Sequence, residues 1–336
     1  MSFKLFKTIG VSALALASFA AAPAKADEQY VMKITLPTIH ETNWEAATEY
    51  AARVAKDSGG RIKTEVYPAS QLGSIPRQIE GVQFGSIQCA FIPPEFFVGI
   101  DPRFQLMAAP GLVNSMENAR KVAADPEVRK LMLGLGANKG LHGAGLFIAT
   151  PSFIITKTGI RHLADFKGKK IRIFASDFQK VAFERLGATP VAMSLGDVLP
   201  AIQQGAIDGA VSGLTVYTTM SYQDAAKYVT ETEQPYIFIV IELSSKWHDS
   251  LPPDLQKVVD QDATAESESI YSYAVQDLAG GRKTWVAQGG ELLDLPPDEQ
   301  SAMMESFGSV AEDVSKKDPV LAAGYKIVSD AAKRDR

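Results

Sequence analysis

DFKGKKIRIFASDFQKVAFERLGATPVAMSLGDVLPAIQQGAIDGAVSG, residues 165–213, changes period at nearly every turn signal, and its reading decides the fold. Lys170 to Phe174 is a short, β-branched strand pattern. Phe178, Val181, Ala182, Arg185 and Leu186 then recur at helical spacing, and Gly187 stands where a left-handed helix stop belongs. Pro190 forces an extended segment from Thr189 to Met193. Ser194-Leu-Gly-Asp197 resembles a capping box ahead of a helix through Val198, Ala201 and Ile202, which Gly205 ends. Pro200 should kink that helix or delay its start. Ile207 to Ser212 is the last strand. Strands alternating with helices predict parallel pairing through right-handed crossovers, with ligands held beyond the carboxyl ends of the strands.

Arg172 shares one side of its strand with Phe174. A guanidinium in an apolar strand must meet an anion, because an unpaired buried charge is costly. Two readings stay open on spacing alone: an internal ion pair with Glu184 or Asp208, or a ligand anion.

Outward from this stretch, 336 residues are enough for two domains, and a net charge of −5 without a basic cluster argues against nucleic acid as a partner. Lys4 and Lys7, an apolar run from Ile9 to Ala22 and the small-residue site Ala24-Lys25-Ala26 form a secretory leader, residues 1–26, cut after Ala26. The single cysteine, Cys89, lies in an apolar strand, so no internal disulfide forms and no lipid attachment site exists near the cut. No later run is long enough to cross a bilayer. The expected location is the periplasm.

The first half repeats the architecture of the opening stretch. Tyr30–Pro37 is a strand, and the loop from Thr38 to Asn43 leads into a helix through Val54. Ile62–Tyr67, a helix from Ile75 to Phe84 and a strand from Gln88 to Ile92 complete a second β-α-β-α-β run. Leu141–Ala149 is a Gly-rich strand. After Gly213 come a helix, a strand through Tyr236–Ile241, and a long helix from Leu251 toward Trp285, interrupted only if Gly280-Gly281 breaks it. At about 30 residues it would run about 45 Å and brace both halves. The expected fold is α/β with two lobes, each a sheet flanked by helices. Lobe I would be 27–149 plus 236–275, and lobe II 150–235 plus 276–332. Several chain crossings between lobes make a hinge.

Catalytic parts are missing. His40, His142, His162 and His248 are scattered and make no metal-binding spacing, no nucleophile elbow follows the leader, and neither a P-loop nor a dinucleotide fingerprint is present. No cofactor or metal is expected.

Six motifs in order carry a family likeness: the leader, Pro68-Ala-Ser-Gln-Leu-Gly73, Asp165-Phe-Lys-Gly-Lys-Lys-Ile-Arg172, Leu186-Gly-Ala-Thr-Pro190, Ala201-Ile-Gln-Gln-Gly-Ala-Ile-Asp-Gly209 and Trp247-His-Asp-Ser-Leu-Pro252. Together they resemble the periplasmic solute-binding proteins of TRAP transporters, the DctP family, over essentially all of the chain after the leader. The resemblance implies the two-lobed periplasmic binding-protein fold, type II-like. It also implies a receptor that captures an organic acid between the lobes and hands it to the small and large membrane subunits of a sodium-driven permease. The family's ligand-binding arginine falls on Arg172, where a bidentate fork suits a carboxylate and Lys would not. Other family positions depart from the pattern: a second arginine falls on Ser152, an asparagine on Ser212, a proline on Phe174 and a stacking aromatic on Leu195, and polar contacts of sugar-acid binders become Pro93 and Phe96. The expected pocket is Arg172 walled by Phe174, Leu195, Phe153, Pro93 and Phe96, with Ser152, Ser212, His40, Thr42 and Asn43 supplying polar contacts. Such a pocket matches an aromatic or branched monocarboxylate. A receptor for a sensor kinase or an ATP-driven importer, and a periplasmic hydrolase or isomerase, are the alternatives.

Overall fold

The computed structural model describes residues 1–2, 29–232 and 234–334. All but the first two residues of the expected leader, and its cut after Ala26, lie outside them. The chain starts as a β-α-β-α-β run: β1 (Tyr30–Thr35), α1 (Thr42–Asp57), β2 (Ile62–Tyr67), α2 (Ile75–Phe84) and β3 (Cys89–Ile92). Two 3-10 segments, α3 (Met116–Ala124), α4 (Pro126–Leu133) and a third 3-10 turn then lead to β4 (Leu141–Pro151). The second lobe follows as β5 (Phe153–Thr156), β6 (Lys170–Ile173), α5 (Asp177–Arg185), β7 (Thr189–Ala192), α6 (Leu195–Gln203), β8 (Gly209–Ser212), α7 (Leu214–Thr219) and β9 (Tyr228–Thr230). The chain then returns through β10 (Tyr236–Ser244), α8 (Ser245–His248), α9 (Pro253–Ser269), α10 (Tyr271–Ala287), β11 (Glu291–Leu293), α11 (Pro297–Gly308), α12 (Val310–Ser315) and α13 (Pro319–Arg334).

Two sheets result. The first has the order β2-β1-β3-β10-β4, and the second β11-β9-β5-β8-β6-β7. As the crossovers require, β1 runs parallel to β2 and β3, and β6 parallel to β7 and β8. β10 and β5 are the antiparallel members. In lobe I, Met32 and Ile34 face Tyr50 and Val54 of α1 and Leu255 and Val259 of α9, while Ala90 and Ile92 face Ile79 and Val82 of α2. In lobe II, Ile171 and Ile173 pack on Phe178 and Phe183 of α5, and Phe153 and Ile155 on Val198, Tyr217 and Trp285.

The chain crosses between lobes at Ser152, between β4 and β5; near Gln234–Pro235, between β9 and β10; and at Ile270, between α9 and α10. The expected brace is therefore two helices in tandem. Ile270 keeps helical dihedrals, φ −63° and ψ −21°, and Gly280-Gly281 does not interrupt α10. α9 packs on α1 and β4 of lobe I, and α10 on α7 and β11 of lobe II. Gly281 permits that contact, since a Cβ there would sit 2.6 Å from Thr215 Cγ2.

Three local expectations need correction. Ser194 makes no side-chain cap, so the capping box does not form. Of the two outcomes expected of Pro200, the delayed start does not occur, because α6 begins at Leu195 with Pro200 inside it; the amide it lacks would have reached only into the first turn. α13 packs on α3, α4 and the 3-10 segment Pro102–Ala108 of lobe I rather than on lobe II, tied by Asn118 Nδ2 donating to Ala332 O at 3.1 Å. No helix among the described residues is long and apolar enough to cross a membrane.

Candidate functional site

Arg172 sits on β6 between β7 and β8, paired in register with Val191 and Ala210. Only 1% of it is exposed. Its Nε donates to Met193 O and its Nη1 to Val211 O, both at 2.9 Å. Of the five N–H groups of a guanidinium, three remain, one on Nη1 and two on Nη2. The two ring faces beside it belong to Phe174, 4.6 Å from Cζ to centroid, and Phe96, 5.9 Å away. These rings come from opposite lobes and meet each other at 5.5 Å.

No carboxylate among the described residues forms an ion pair with Arg172. Asp208, one of the sequence candidates, accepts from Lys170 N instead, at 2.8 Å. Burial pulls the arginine pKa down to about 10, with Tyr222, Tyr217 and Glu95 opposing, which leaves it charged at pH 7. Glu95, on the turn after β3, is the nearest acidic influence. Burial pushes its carboxyl up to about 8 despite its backbone hydrogen bond and Arg172, so it is mostly neutral at pH 7. Arg172 is thus a charged donor whose counter-ion the protein does not supply.

Both lobes line the cavity in front of it, which measures about 40 Å³. Of the residues expected there, Asn43, Pro93, Phe96, Phe174, Leu195 and Ser212 join Arg172 in that lining. Four do not. Phe153 points to the other side of β5, into the lobe II core, on the face it shares with Ile155 and opposite Ile154. Ser152 is buried at the crossing from β4 to β5, where its amide donates to Pro235 O. His40 is exposed, with φ 54°, and packs edge-on against Trp44. Thr42 turns to α10, its amide and hydroxyl both donating to Asp277 Oδ2 at 3.2 and 3.0 Å. Thr215 at the start of α7 also hydrogen-bonds Asp277, which makes this carboxylate a tie between α1, α10 and lobe II.

The lining also contains residues the sequence reading passed over. Glu41 is the N-cap of α1, accepting from the amides of Asn43 and Trp44 at 3.0 Å each. Burial raises its carboxyl to about 7, against the pull of those donors and of Thr38. Glutamate is not among the usual N-cap residues, so its signal in the sequence is weak. Thr38, Thr150, Gly213 and Val216 complete the mouth, and Ile75, Ile237 and Ile239 the apolar wall. Thr150 had no such signal, because Pro151 hides that β4 continues through it. Asn43 donates to Thr38 Oγ1 and Phe91 O, while its Oδ1 is buried without a partner.

Among the described residues, Arg172 is the only cation in this lining. The arrangement can hold one anionic group at the fork and press an apolar body against two aromatic rings. Residues 36–318 match the family described as bacterial extracellular solute-binding protein, family 7. The chain is 25% identical over 330 residues to the C4-dicarboxylate-binding periplasmic protein DctP of Vibrio cholerae, covering 94% of this chain and 95% of that one. It is 27% identical over 217 residues to an uncharacterized protein, YiiZ, of Salmonella typhimurium, where the match spans 64% of this chain and 66% of the relative. Its fold superposes with a TM-score of 0.86 on a TRAP periplasmic solute-binding protein of Desulfovibrio salexigens with bound orotic acid, at 20% identity, covering 92% of this chain and all of that one.

Proposed function

Because the chain belongs to the bacterial extracellular solute-binding proteins of family 7, the DctP family, we propose that it captures an aromatic or branched monocarboxylate between its lobes. It then presents the acid to the small and large membrane subunits of a TRAP permease. The single observation carrying this reading is the buried Arg172 fork, charged, without a counter-carboxylate, and flanked by the touching rings of Phe96 and Phe174. The ligand carboxylate accepts from the remaining N–H groups of Arg172 while its body packs on the two rings and on Leu195. Closure removes water from the ion pair and strengthens it, so the closed form is the liganded form.

A second ligand carboxylate would find no second cation, and would meet Glu41 and a wall of isoleucines. That arrangement selects against dicarboxylates. The orotic acid held by the Desulfovibrio salexigens protein is a flat ring bearing one carboxylate, the shape favoured here. The role is binding without turnover, in the periplasm, after the leader is removed behind Ala26; N-terminal sequencing of the exported protein should begin at Asp27.

Titration calorimetry with a panel of acids tests the ligand class. Benzoate-like, indole or branched-chain monocarboxylates are expected to bind more tightly than succinate or galactonate. Tighter binding of either of the latter two overturns the proposal.

A further inference from the structure

Two of the histidines scattered in the sequence meet on the outer side of lobe I, away from the cleft. His142 lies on β4 opposite Leu243 of β10, and His248 ends α8, which follows β10 directly. Ser245 N donates to Gly140 O at 3.1 Å, holding the start of α8 against the residues that open β4. Asp260, in the middle of α9, faces both rings. His142 Nε2 lies 2.9 Å from its Oδ1, and His248 Nε2 lies 3.3 Å from its Oδ2. Ligand atoms of all three residues fall within 4.8 Å of one another.

We propose that His142, His248 and Asp260 form a binding site for one divalent transition-metal ion of the zinc class. Two imidazoles and one carboxylate are a three-ligand set for such an ion, leaving one position for water. Without an ion, protons on the two Nε2 atoms bridge the rings to the Asp260 carboxylate. The two rings stack nearly face to face, with centroids 3.9 Å apart and 16° between planes. A dication between the Nε2 atoms and the carboxylate replaces those protons.

The present geometry is preformed but not yet convergent. Parallel rings point their lone pairs side by side, so one ring must tilt for both to meet one ion. His142 has the freedom to do so: its side chain is 34% exposed, against 8% for His248. Asp260 is 39% exposed, which leaves the ion an open path from solvent. On the far side, His248 Nδ1 lies 3.6 Å from Asp249 Oδ1 and has no hydrogen bond. A small shift closes that gap and gives the outer carboxylate that orients a metal-bound imidazole. The three ligands come from a strand and from two helices that each pack on it, so the site needs no folding of its own.

The test uses the full mature chain stripped with EDTA. Zinc titrated by calorimetry should bind with one equivalent, and cobalt(II) should give the visible absorption bands of a low-coordinate site. His142→Ala and Asp260→Asn should each weaken zinc by well over tenfold, and Asp249→Asn by about tenfold. Absence of saturable one-equivalent binding to the unaltered chain overturns the proposal, as does zinc affinity that survives both ligand substitutions. If either ligand variant misfolds, the cobalt spectrum of the unaltered chain and the Asp249→Asn affinity decide, and an unchanged Asp249→Asn affinity then counts against the site.

Discussion

Replacing Arg172 separates the roles of charge and of geometry. The guanidinium already gives one N–H each to Met193 O and Val211 O. Lysine offers three donors in all, so after serving those carbonyls it has one left for a ligand, and the fork is lost. One charge-assisted hydrogen bond is worth about 1.5–3 kcal/mol, so Arg172→Lys should raise Kd by about 10- to 150-fold. Arg172→Met removes the charge altogether and should cost about 2–5 kcal/mol, or about 30- to 4,000-fold. Neither change should unfold the protein. The arginine is held against a desolvation pull that lowers its pKa to about 10, and Met relieves that cost while orphaning two carbonyls. The assay is calorimetry with the tightest acid found in the panel, paired with thermal melts of each variant without ligand. The reasoning fails if Arg172→Lys binds within about threefold of the unaltered protein, or if Arg172→Met binds as well as Arg172→Lys while both melt normally.

Two further outcomes follow from buried acids. Burial raises the folded pKa of Glu95 from 4.5 to about 8, so its contribution to stability is fully present below about pH 4.5 and is lost as pH rises toward 8. Melting temperature should therefore fall across that window, and Glu95→Gln should flatten the fall; an identical pH slope in the variant refutes the assignment. Asp277→Ala removes both hydrogen bonds from Thr42 and the contact with Thr215. At about 1 kcal/mol for each of the three lost bonds, ligand affinity should drop by up to about 150-fold, with small-angle scattering showing a more open acid-bound form. Unchanged affinity and radius of gyration would mean that Asp277 plays no part in closure.

Much of the fold was legible because its signals are local. Gly187 and Gly205 do adopt the left-handed conformation their positions required, and Arg172 is buried where an arginine in an apolar strand must be. What escaped depends on contacts between distant segments. Phe153 reads as one more aromatic near the cleft, and only the pairing of β5 fixes which side it faces. Thr42 looks free to meet a ligand until α10 brings Asp277 to it. His142 and His248 have no meaningful spacing along the chain and become neighbours through β10. The docking of α13 on lobe I is likewise a matter of tertiary packing, with nothing in its own pattern to name its partner.

The strand order of the first sheet also bears on the order in which the protein can be assembled. β10 lies between β3 and β4, yet it is encoded after every strand of the second sheet except β11. In a polypeptide made from its N-terminus, β3 and β4 share no neighbour until residue 244 is available. The half that emerges earliest therefore keeps two open strand edges while the half that follows it can already pair β5 through β9, and the earlier half is completed by a single late insertion.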